Sequence, residues 1–115
     1  MANIPRWIVE WINKDRLIRN KYRISQKYLR HSKRIQFIKG EKGDNGEWKS
    51  FHFVVNSHKY GKYNVTFNDG EYHCNCPFFK HRLICSHILG ICQKTSTWPQ
   101  KRTILSKNQN LSNLL

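Results

Sequence analysis

Residues 73 to 87, HCNCPFFKHRLICSH, hold three of the chain's four cysteines and three of its six histidines. Cys74, Cys76, Cys85 and His87 fall in the pattern Cys-x-Cys-x8-Cys-x-His. Three thiolates and one imidazole are a common tetrahedral set for a structural zinc ion. Two disulfides are the competing use of four cysteines. Neighbours in a Cys-x-Cys pair cannot comfortably bridge each other, however, and the amino-terminal residues lack the continuous apolar stretch of an export signal. The expected cofactor is therefore one structural zinc ion on those four residues. His73 and His81 are the nearest competing imidazoles, and a ligand at 73 would duplicate Cys74. Cys92 has apolar neighbours at helical spacing and reads as a packed core thiol. His31, His52 and His58 stand alone along the chain and read as ordinary surface or core histidines.

These ligands must be delivered by particular elements. The strand that carries Cys74 is expected to end and turn between Cys74 and Cys76, with Pro77 directly after. Cys85 and His87 are expected at the mouth of a helix starting near Ser86, because Cys85, Ile88, Leu89 and Cys92 recur at three and four residues. Gly90 weakens that helix by ~1 kcal/mol relative to alanine at an exposed position. Upstream, alternation sets Ile35 and Phe37 on one strand face, then Phe51, Phe53 and Val55, then Tyr63, Val65 and Phe67. Turn signals separate them: GEKGDNGE at 40 to 47, NSHKYGK at 56 to 62 and NDG at 68 to 70. The simplest product is a four-stranded antiparallel meander ending in Glu71 to Cys74.

Ahead of the meander, RWIVEWINKDRLIRNKY puts Trp7, Trp11, Ile18 and Tyr22 near one helical meridian, an amphipathic helix entered at Pro5. Asp15 interrupts its apolar stripe. It either caps a second helix starting at Arg16 or meets a basic partner. A short further helix is expected from Ser25. The expected organisation is a basic helical segment over residues 1–32, a meander with its zinc motif over 33–95, and a polar tail over 96–115. The tail is either unstructured or docks through Leu111, Leu114 and Leu115. The fold class is α+β, one small domain, since a chain of 115 residues buries only ~60–70% of its unfolded surface. A metal clamp is a useful supplement at that size.

The strand YNVTF, the turn NDG, the phrase CNCPFF and the closing CSHILG resemble the SWIM zinc-finger family. Its pattern is Cys-x-Cys, a variable gap, then Cys-x-His, and the resemblance runs over roughly residues 50 to 93. It implies a small ββα zinc unit that binds DNA or protein. One branch of the family, in recombination accessory proteins, carries alanine three residues after the histidine, where this chain has Gly90.

The net charge is +14, and it is unevenly placed: +9 over residues 1–39, zero over 40–70 and +5 over 71–115. Such an imbalance points to a polyanionic partner. The expected contacts are Arg16, Arg19, Lys21, Arg23, Lys27, Arg30, Lys33 and Arg34 from the amino-terminal segment, with Lys80 and Arg82 from the x8 gap. Tyr28 is the candidate for stacking on a base, whereas Trp7 and Trp11 at helical spacing read as core. DNA is the expected partner, RNA the second polyanion, and a protein partner of an adaptor the rival. No small-molecule substrate is expected. The seven acids show no convergent set for phosphoryl transfer, and no run of about 18 apolar residues offers a membrane span. A binding protein rather than an enzyme is expected, soluble and intracellular, in the cytoplasm or on the nucleoid.

Overall fold

Pro5 and Asp15 divide the amino-terminal segment into two helices, α1 (Arg6–Lys14) and α2 (Arg16–Arg30). The structure, a computed structural model, describes residues 4–57 and 61–107. Asp15 takes both of the roles that its place in the sequence suggests. Its backbone is extended, and its Oδ1 accepts the amides of Leu17 at 3.0 Å and Ile18 at 3.4 Å, an N-cap that starts α2. Its Oδ2 accepts the Trp11 indole N–H at 3.3 Å and lies 3.4 Å from the Arg82 guanidinium. The two readings open for Asp15, the cap of a second helix beginning at Arg16 and the contact with a basic partner, both hold, and α2 runs on through the region where a short further helix from Ser25 is expected.

The strands β1 (Ile35–Lys42), β2 (Trp48–Ser57), β3 (Gly61–Asn68) and β4 (Glu71–Cys74) form the antiparallel meander in the order β1-β2-β3-β4. Phe53 pairs with Val65, Phe51 with Phe67, and Val65 in turn with Cys74. The two-residue period thus gathers Phe51, Phe53, Val55, Val65, Phe67, Tyr72 and Cys74 on one buried face. Asp69 and Gly70, with φ of 50° and 85°, make the tight turn between β3 and β4, the type I′ geometry that matches strand twist. The expected pair on β1 keeps its shared face but is unequally covered. Ile35 pairs with Val55 and is buried, while Phe37, opposite Phe53 and against the Trp48 ring, is half exposed on this edge strand, and the register shifts directly after it.

The sheet leads into α3 (Pro77–Arg82), in the gap between the two ligand pairs where no helical period shows in the sequence, and then into α4 (Ser86–Thr95). Every residue of α4 from Ser86 to Cys92 is buried, because α2 covers one side and β3 and β4 the other. The helix is apolar around most of its circumference, as such a sandwiched element must be. At the α2 crossing, Gln93 Nε2 donates to Ser25 Oγ at 3.0 Å and to Leu89 O at 2.9 Å. Gly90 sits under the same crossing. A methyl group placed on it would lie 3.8 Å from the Ser25 carbonyl oxygen and 4.0 Å from Tyr28 Cβ, ordinary contact distances. The chain after α4 returns to the core: Pro99 and Ile104 are buried, and Ile104 belongs to α5 (Lys101–Lys107). His58, Leu111, Leu114 and Leu115 lie outside the described residues.

Three substitutions at two positions test this packing by urea denaturation. Asp15→Ala removes a cap and a part-buried ion pair and is expected to cost about 2 kcal/mol, while Asp15→Asn keeps the cap and costs less. Gly90→Ala has room for its methyl and is expected to raise stability by about 0.5–1 kcal/mol, since alanine favours the helix.

Candidate metal centre

Cys74 closes β4, Cys76 precedes α3, Cys85 caps α4 and His87 is the second residue of α4. The chain stays extended through Cys76, whose φ and ψ are −79° and 154°. This corrects the expected turn between Cys74 and Cys76. Residues two apart on an extended chain already share a face, so both sulfurs point inward while Asn75 is exposed. The turn comes after Cys76, at Pro77. Asn75 Oδ1 accepts the Asn64 amide at 2.8 Å, which ties the segment between the two cysteines to β3.

One donor atom from each of Cys74, Cys76, Cys85 and His87 lies within 4.8 Å of all the others, and all four residues are buried. His87 Nδ1 is 3.7 Å from the sulfurs of both Cys74 and Cys85. Tetrahedral bonds of about 2.3 Å to sulfur and about 2.0–2.1 Å to nitrogen give ligand-to-ligand edges of roughly 3.6–3.8 Å. The spacing therefore fits a single zinc ion. The acid–base chemistry of the donor set fits as well. Cys76 accepts hydrogen bonds from the Cys74 and Cys85 thiols and is held far below the ordinary thiol range. Bonding to Cys76 pushes Cys74 up to about 12. Burial first, then its two neighbours, pushes Cys85 well above its ordinary value. Without a cation the three buried thiols therefore differ sharply in how readily they ionise. A divalent cation supplies the positive charge that lets all three ionise together.

The surroundings support the ligands. The Ile88 amide donates to Cys85 Sγ at 3.4 Å across the cap of α4, a backbone contact that stabilises a thiolate. The rings of Tyr63 and Tyr28 lie 4.6 Å and 5.6 Å from the His87 imidazole. His73 is exposed, with its ring against Phe79, and His81 is exposed on α3; neither is in the cluster. Cys92 is fully buried on α4, and burial pushes its thiol well above the ordinary range.

Residues 63–96 match the SWIM zinc finger family model. The match takes in most of β3 and all of β4, α3 and α4, with every ligand inside it. The chain therefore carries a SWIM zinc finger, a zinc-binding module with a site for one ion. No curated protein and no solved structure matches the chain. Among the described residues, no helix is long and apolar enough to cross a membrane.

The expected nucleic-acid contacts divide into two groups. Arg16, Arg23, Lys27, Arg30, Lys33 and Lys80 are exposed. The others have work inside the fold. Arg19 Nη2 donates to Asn13 O at 2.6 Å and Nε to Ile12 O at 3.3 Å, closing the carboxyl end of α1. Arg34 Nη1 donates to Asn56 O at 3.1 Å, pinning the turn before β1 to the end of β2. Arg82, expected on phosphate, is turned onto Asp15. Tyr28, expected as a free stacking platform, leans on His87. Lys21 is half-buried with Nζ 4.6 Å from the centre of the Phe78 ring. Sequence reasoning missed Tyr63 and Asn75 as supports of the centre. Tyr63 follows strand alternation and looks like core, and Asn75 looks like a mere spacer in Cys-x-Cys.

Metal analysis with circular dichroism checks the centre. Cys85→Ala or His87→Ala is expected to abolish stoichiometric zinc and to lower the Tm, and excess chelator is expected to unfold the wild-type chain. Cys92→Ala is expected to keep one zinc per chain.

Proposed function

We propose that the protein is a zinc-organised module that binds nucleic acid, DNA ahead of RNA, chiefly through the phosphate backbone. The outer face of α2 carries this reading. Arg16, Arg23, Lys27 and Arg30 recur at helical spacing on that face, all exposed, and Lys33 continues the line in the following turn. From Arg16 to Arg30 the helix rises about 21 Å, a length over which duplex DNA presents roughly twelve phosphates. No residue of α2 is acidic, and these side chains form no ion pair among the described residues. The inner face of the same helix is locked against α4 through Ser25 and Gln93, so the charges sit on an element ordered before contact, which lowers the entropic cost of association.

Zinc in this reading is structural, since four protein ligands leave no coordination position for water. The module binds and does not catalyse. One observation favours a second reading. β1 is an edge strand with Phe37 and Ile38 half exposed, a surface on which a protein partner could add a strand.

Binding titrated across salt decides between them. The combined variant Arg16→Gln, Arg23→Gln, Lys27→Gln and Arg30→Gln is expected to keep its zinc and its Tm. Its slope of log affinity for duplex DNA against log salt is expected to flatten by about 0.9 for each phosphate the variant no longer neutralises. Unchanged affinity and slope would take DNA off α2 and leave the protein partner as the reading to pursue.

A further inference from the structure

A hollow of about 430 Å³ opens beside the metal cluster, between α2, the facing ends of β2 and β3, α3 and the start of α4. The rings of Tyr28, Tyr63 and Phe78 wall it, Lys21 and His81 line it with them, and His87 forms part of its surface. Among the described residues, none that lines it is acidic. Its volume falls within the range of about 300–1,000 Å³ found for small-molecule sites, which admits a flat heterocycle.

Several features say what kind of occupant it fits. Two of the aromatic walls rest on a metal ligand: Tyr28 and Tyr63 lie against His87, so they are ordered before anything enters. The Lys21 ammonium is held against the Phe78 ring, which places a cation where the aromatic walls meet α2. Tyr28 follows Lys27 on α2 and is turned about 100° around the helix from it, so the hollow opens on the flank of the helix that carries the basic face. Aromatic walls with a cation and no carboxylate complement a nucleobase and its phosphate. An apolar peptide complements them less well, because it would bring no counter-charge to Lys21.

We infer that this hollow receives one unpaired base of a single strand, with the adjoining phosphate on Lys21. The inference rests on the nucleic-acid reading above and deepens it: the zinc does not merely hold the fold but fixes, through His87, the walls of a base site. A base paired and stacked within a duplex is not presented to such a site, so single-stranded or locally unpaired nucleic acid is preferred.

The test uses the zinc-loaded full chain and three fluorescent ligands: a single strand of thymidines, an abasic strand of the same length, and a duplex of the same length. The thymidine strand is expected to bind about ten-fold or more tightly than the abasic strand, with parallel salt slopes. Equal affinity for both, with a steep salt slope, would overturn the base site and leave the phosphate reading standing. No binding of any ligand at low salt would overturn both. Tyr28→Leu, checked for one zinc per chain, is expected to bring the two strands together without changing abasic affinity. Should that variant lose zinc, Phe78→Leu is read by the ratio of the two affinities alone, because the Phe78 ring also seats Lys21. An unchanged ratio in a zinc-retaining variant would overturn the assignment.

Discussion

Three thiolates and an imidazole gathered within 4.8 Å of one another inside a protein need a cation to balance their charge. The rest of the structure answers to that constraint. Burial and mutual bonding already drive the thiols apart in acidity, with Cys76 held low and Cys74 and Cys85 raised. One divalent ion removes the conflict. It also joins the end of β4, the start of α3 and the cap of α4, which no disulfide ties together among the described residues.

From that joint the order spreads outward. α4 enters the core with its amino end fixed at Cys85 and His87, and its buried length receives α2 over Gly90 and Ser25. α3 leaves the joint at Cys76 and returns Arg82 to Asp15, the residue that also starts α2 and holds the Trp11 indole. The helical layer is thus attached to the zinc unit twice, once by packing and once by a part-buried charge pair. Asp15, an anomaly in an apolar stripe, is the point at which α1, α2 and α3 meet. The basic residues of the outer face of α2 stand on this doubly held helix, and the aromatic hollow lies along its flank.

The metal ligands were legible in the sequence because Cys-x-Cys and Cys-x-His are local patterns whose chemistry admits few alternatives. The sheet was legible because two-residue alternation and the NDG turn are local too, and they place the strand that pairs Cys74 with Val65. What the sequence hid was tertiary. Arg19, Arg34 and Arg82 look like Arg16 and Arg23 until the carbonyls and the carboxylate they reach are in place. Tyr28 looks like an exposed ring until His87 arrives from nearly sixty residues away. Phe37 follows the alternation that buries Ile35 and packs on Phe53, but its place on an edge strand leaves half of it exposed. α3 was hidden for a different reason: six residues are too few for a helical period to show, and only Pro77 at its start marks it.

Zinc, held by three sulfurs and one imidazole nitrogen, is the joint of this fold. X-ray absorption at the zinc edge of the purified protein tests that assignment most directly. The expected shell has three sulfur neighbours at about 2.3 Å and one nitrogen at about 2.0–2.1 Å, with no bound water. Fewer than three sulfurs, or an oxygen completing the shell, would contradict it.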